Sequence, residues 1–129
     1  AKDEKEAGIR AVLNYGHTFA HVIENLTNYK SYLHGEAVAI GMVMANNLAL
    51  KLNLISQNEC GRICKVLQKF YLPTEFKVKN VDEFYDLFFL DKKSSSGKVK
   101  FILPNGIGNF VIKDDIDENL VKESLREFA

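Results

Sequence analysis

Residues 10–36, RAVLNYGHTFAHVIENLTNYKSYLHGE, restrict this chain more than any other stretch. They hold all three histidines, His17, His21 and His34. At about 100° per residue on a helix, Arg10, Asn14, His17 and His21 fall within a sector of roughly 60°. The rest of this first helix is mostly apolar or small: Ile9, Ala11, Val12, Leu13, Tyr15, Gly16, Phe19, Ala20, Val22, Ile23 and Leu26. A helix that is apolar on most sides is buried against neighbours. A row of one guanidinium, one amide and two imidazoles on such a helix needs partners, because unpaired buried polar groups are costly. A metal, an anionic ligand or water in a cavity would meet that need.

The chain has 129 residues, a length that suits one domain around one core. Hydrophobic residues make up 47%, enough to build that core. Lys+Arg and Asp+Glu are both 17, so no net charge favours nucleic acid or an acidic membrane surface as a partner. The longest apolar run, Ala37 to Ala45, is too short to span a bilayer. No N-terminal signal pattern is present. Cys60 and Cys64 sit four apart in a predicted helix, a spacing poorly suited to a disulfide. They read as reduced thiols in a cytoplasmic protein.

The pattern predicts a mainly α chain. A first helix runs from about residue 3 to about residue 28, followed by a short polar-aromatic loop. A second starts near His34-Gly35-Glu36 and continues through AVAIGMVMANNLALKLNL. It is apolar almost all round and is expected to be the central core helix, with Glu36 favourably placed in its first turn. A third begins at Ser56, where Ser56 and Glu59 have the capping-box form, and stops before Pro73. A short helix, VDEFYDLFFL, precedes the basic, serine-rich loop DKKSSSGK. KVKFILP and IGNFVI form a hairpin across Pro104-Asn105-Gly106. Residues 115–128 are a last amphipathic helix with Ile116, Leu120, Val121, Leu125 and Phe128 inward.

His17 and His21, four apart on a helix, present their rings one above the other, a spacing that can hold a metal. His34 heads the next helix and could return to the same place; Glu24 or Glu36 could add a carboxylate. A catalytic zinc takes three protein ligands and keeps one position open. Arginine and an amide beside a metal suggest an anionic substrate. Blander readings exist for each. His17 could hydrogen-bond Asn14 and Glu24 across a helix interface. Arg10 and Glu6 could form an exposed ion pair worth little. Lys92 and Lys93 could belong to a solvated loop, and Cys60, Cys64 and the Phe84, Phe88, Phe89 cluster to the core.

Several blocks, in order, resemble the signature of the 3-dehydroquinate synthase family. They are Gly8-Ile9-Arg10, Leu13-Asn14-Tyr15-Gly16-His17-Thr18, His21-Val22-Ile23-Glu24 and His34-Gly35-Glu36-Ala37-Val38-Ala39-Ile40-Gly41-Met42. Asp91-Lys92-Lys93, Leu103-Pro104 and Ile107-Gly108 continue the likeness. Ala20 stands where a second glycine is common. The likeness is to the C-terminal, mainly helical half, and the nucleotide-binding α/β half that precedes it in the family is absent from this sequence.

The resemblance implies the helical C-terminal domain of the dehydroquinate synthase-like fold, with a small β-hairpin, spanning residues 1–129. It implies a lyase of the shikimate pathway, and so of aromatic amino acid biosynthesis. The substrate would be 3-deoxy-D-arabino-heptulosonate 7-phosphate, with NAD used transiently and a zinc or cobalt ion as Lewis acid. By position His17 and His34 resemble two of three metal ligands, which replaces the His17–His21 pair suggested by spacing. The third is a glutamate from before this chain begins, so Glu24 and Glu36 lose that place. His21 resembles the active-site histidine that touches substrate and assists proton transfer. Arg10 and Asn14 resemble substrate anchors, and Lys92 or Lys93 should reach an anionic group. NAD would be held by the missing half, the chain alone would be inactive, and the full-length enzyme would be a cytoplasmic homodimer. Two other readings are a related sugar-phosphate cyclase or metal-dependent alcohol dehydrogenase, and a non-catalytic helical module.

Overall fold

A computed structural model describes residues 15–28, 30–90 and 99–129. Among them the elements are α1 (His17–Leu26), α2 (His34–Lys51), α3 (Gln57–Lys69) and α4 (Val81–Leu87), the last running into a 3-10 turn (Phe88–Leu90). Strands β1 (Phe101–Pro104) and β2 (Phe110–Lys113) and helix α5 (Glu118–Arg126) complete the chain. The mainly helical architecture with one hairpin is as the sequence predicts.

Helix α2 is the centre. Ala37, Ala39, Ile40, Met44, Ala45, Leu48 and Ala49 are all buried, and the helix packs against α1, α3, α5 and β1. The apolar residues occupy most of its circumference, so no side is left that prefers water. Phe88 meets Phe19, Phe84 and Phe101 edge to face, which ties α1, α4, the 3-10 turn and β1 together. Phe89 departs from the expectation: it is 40% exposed. In the 3-10 turn it follows Phe88 at a steeper angle than an α-helix would set, so only Phe84 and Phe88 point inward.

The first helix also departs from the expected span. Residues 1–14 lie outside the described residues, and α1 begins at His17, with Gly16 at its N-cap rather than inside a continuing helix. Gly16 and Gly41 are where α1 and α2 touch backbone to backbone. A Cβ at Gly41 would run into the Gly16 carbonyl, and one at Gly16 would collide with Val38 O and lie 2.8 Å from Met42 N. Tyr15 reinforces the contact by donating to the Met42 carbonyl at 3.4 Å. Burial holds its hydroxyl far above the usual phenol range, with Cys60 adding to the effect.

Helix α3 opens with the predicted capping box: Ser56 accepts from Glu59 N and Glu59 accepts from Ser56 N. It ends at Lys69, short of Pro73, because Tyr71 takes a left-handed φ of 62°. The hairpin pairs Phe101 with Lys113 and Pro104 with Phe110, which turns Phe101 and Leu103 to the core. Its loop is longer than a two-residue turn. Asn105 N donates to Asn109 O at 2.8 Å, and Gly106 and Gly108 take positive φ. The tip docks on the rest of the chain: Gly106 N reaches Leu54 O at 2.7 Å and Ile107 N reaches Glu59 Oε2 at 3.2 Å. Helix α5 is capped by Asp117 and buries Val121 and Leu125; Ile116, Leu120 and Phe128 pack beside them. Cys60 and Cys64 are free thiols. No helix among the described residues is long and apolar enough to cross a membrane.

Candidate functional site

Residues His17, His21 and Glu24 occupy positions i, i+4 and i+7 of α1 and so share one face. Phe19, Ala20, Val22 and Ile23, on the other faces, are buried and set that helix firmly on α2. The loop after α1 then returns the chain so that His34, the first residue of α2, arrives beside His17. Two features hold the turn. Asn28 takes a left-handed φ of 54° just past the end of α1, and Glu36 Oε1 accepts from Leu33 N at 2.8 Å.

All three imidazoles come together. The ring centres of His17 and His34 are 5.2 Å apart with planes at 81°, and those of His17 and His21 are 6.2 Å apart at 89°. Two imidazoles on one tetrahedral zinc, with bonds of about 2.0–2.1 Å, place their ring centres about 5 Å apart. The His17–His34 pair fits that spacing better than the His17–His21 pair does. The donor set also suits a borderline ion such as zinc or cobalt. Among the described residues no group of three or more His, Cys, Asp or Glu side chains could by itself hold an ion. A complete shell therefore needs a donor from outside them.

The row is more open than the sequence suggested. The side chains of His21 and His34 are 52% and 59% exposed, and His17 is half-buried. The buried polar member is Glu24, 7% exposed. Its Oε2 lies 3.0 Å from His34 Nδ1 and its Oε1 3.9 Å from His21 Nδ1. Sequence reasoning weighed Glu24 as a metal ligand and missed its place as a partner of His34. The i, i+4, i+7 spacing with the two histidines was the available signal.

Arg10, Asn14, Lys92 and Lys93 lie outside the described residues. The chain is described again from Val99, and there Lys100 O accepts from Thr18 Oγ1 at 3.1 Å.

The sequence matches the family described as 3-dehydroquinate synthase C-terminal over residues 1–94. A 3-dehydroquinate synthase of Campylobacter hominis is 62% identical over 127 residues, which is 98% of this chain and 37% of that protein. The chain therefore spans little more than a third of the length of that relative. Among solved structures, 2-epi-5-epi-valiolone synthase from Streptomyces hygroscopicus, with NAD+ and Zn2+ bound, is similar at a TM-score of 0.76 and 29% identity. That likeness covers 89% of this chain and 32% of the other. A 2-deoxy-scyllo-inosose synthase complexed with carbaglucose-6-phosphate, NAD+ and Co2+ is similar at a TM-score of 0.72 and 27% identity. There the coverage is 90% of this chain and 34% of the other.

Proposed function

We propose, since this chain belongs to the 3-dehydroquinate synthase C-terminal family, that it supplies the metal- and substrate-binding part of a 3-dehydroquinate synthase. The full protein converts 3-deoxy-D-arabino-heptulosonate 7-phosphate to 3-dehydroquinate and phosphate. The observation that carries this reading is the facing pair of imidazoles, His17 and His34, at 5.2 Å, on the two helices that pack most closely.

When bound, NAD would supply a transient hydride acceptor and a zinc or cobalt ion Lewis acidity at the hydroxyl oxygen of the carbon being oxidised. His17 and His34 would each offer one ring nitrogen to the ion. His21, one turn beyond His17, is the group that would touch the substrate and move a proton to or from one of its hydroxyls. Arg10 and Asn14 precede His17 in the chain and anchor the substrate carboxylate and hydroxyls. Lys92 and Lys93 offer ammonium groups to its anionic ends. NAD is held by residues outside this chain, the working enzyme is a cytoplasmic homodimer, and the substrate is a small phosphorylated sugar acid rather than a nucleic acid or a membrane.

The test is turnover by the full-length protein. Phosphate release and 3-dehydroquinate formation from the named substrate are expected to exceed turnover of other sugar phosphates. A preference for another sugar phosphate would favour the second reading, a related cyclase, which the fold likeness to two such enzymes supports. The 129-residue chain by itself, little more than a third of the length of its Campylobacter hominis relative, is expected to release no phosphate with this substrate. Steady release by the chain alone would overturn that expectation.

A further inference from the structure

Glu24 is a buried carboxylate, 7% exposed, and a buried charge is costly unless it is paired. Its position on α1 aims it across the helix interface at the start of α2, where His34 Nδ1 stands 3.0 Å from Oε2. An ionised carboxylate can only accept, so the ring must donate through Nδ1–H. In the neutral ring that leaves the lone pair on Nε2. The second oxygen, Oε1, faces His21 Nδ1 at 3.9 Å. One buried side chain therefore reaches both the imidazole on α2 and the one a turn along α1.

We infer that Glu24 is a positioning residue of the metal site: its carboxylate holds His34 in the Nδ1–H tautomer and orientation that present Nε2 to the ion. The inference rests on the proposed role of His17 and His34 as metal ligands. Carboxylate partners of this kind fix ring orientation and raise ligand basicity, and their loss typically costs about 10- to 100-fold in metal affinity.

The experiment uses the full-length protein. Metal-free protein is titrated with cobalt, read by its visible absorption and by competition with a chelator, for wild type, Glu24→Ala, Glu24→Gln and His17→Ala. Glu24→Ala is expected to bind cobalt about 10- to 100-fold more weakly. Glu24→Gln, whose amide oxygen still accepts from Nδ1–H, is expected to lose less. In 15N-histidine spectra of the metal-free wild type at about pH 8.5, above the ordinary imidazole range, His34 is expected to carry its proton on Nδ1. Cobalt affinity of Glu24→Ala within about twofold of wild type, well short of that loss, while His17→Ala binds none, would overturn the positioning role alone. So would an Nε2–H tautomer at His34. Wild-type affinity in His17→Ala would instead sink the metal site itself. Should Glu24→Ala fail to fold, Glu24→Gln and the wild-type tautomer decide.

Discussion

Two buried polar side chains behave in opposite ways. Glu24 finds an imidazole across a helix interface, whereas Asn46, 3% exposed on α2, has an Oδ1 with no hydrogen-bond partner among the described residues. A buried acceptor left unpaired carries its full desolvation cost, about 1–3 kcal/mol. Replacing a buried residue by alanine usually destabilises, but here the lost packing is offset by removal of that penalty. Asn46→Ala is therefore expected to change unfolding free energy by less than about 1 kcal/mol, or to raise it. Urea denaturation measures this, and a loss above about 2 kcal/mol would show that the amide oxygen is paired after all. Of the residues that mattered most, His17, His21 and His34 were legible in the sequence because their spacing puts them on helix faces. Glu24 was legible as a candidate, but its partner was not. That partner lies 10 residues on, across a turn whose direction no periodicity encodes.

At the scale of the element, α1 and α2 meet backbone to backbone at Gly16 and Gly41, beside the packed side chains of Phe19, Ala20 and Ile40. Gly41 sits under the Gly16 carbonyl, the residue just before His17. A methyl group there meets backbone, which cannot rotate away, so the helices must separate. Gly41→Ala is expected to cost about 3 kcal/mol or more, at the upper end of overpacking. It is also expected to lower the metal affinity of the full-length protein by moving His17 away from His34. A melting temperature and a cobalt titration within error of wild type would refute this. The α2 and α3 boundaries were readable from apolar run and capping box. The start of α1 was not, since the apolar pattern runs on through Tyr15 and Gly16, yet the described helix begins only at His17. Helical periodicity is blind to a glycine whose role is to let a second backbone approach.

Across the whole molecule, the C-terminal end is fastened to the central helix by a polar clasp. Lys51 Nζ meets Glu127 Oε2 at 2.9 Å, and Asn47 Nδ2 donates to the same oxygen at 2.9 Å and to Ser124 Oγ at 3.0 Å. The hydrogen bond from Lys51, then that from Asn47, holds the Glu127 carboxyl below its ordinary value, and Glu127 holds Lys51 above its own. A depressed carboxyl contributes stability above its unfolded pKa, about 4.3, and loses it as pH falls through the folded value. A raised amine contributes below about 10.4 and loses it as pH rises through its folded value. The gap in melting temperature between wild type and Glu127→Gln should therefore be present at neutral pH and close below about pH 4. A gap that persists in acid would rule out the clasp as its source. Nearby, Lys122 binds Asp82 and Glu118 at 2.9 and 2.7 Å, joining α4 to α5 in the same manner.

By itself the sequence determined the number and kind of elements, the central place of α2, the histidine row and the family likeness. These depend on local periodicity, on capping and on short motifs, which the order of residues states directly. Only the tertiary structure decided that His34 faces His17 more closely than His21 does, that Glu24 serves His34, and that the row lies half-open rather than enclosed. Those outcomes depend on the angle and separation of two helices. A backbone contact between Gly16 and Gly41 sets both, and a linear pattern carries no record of how closely two helices will meet.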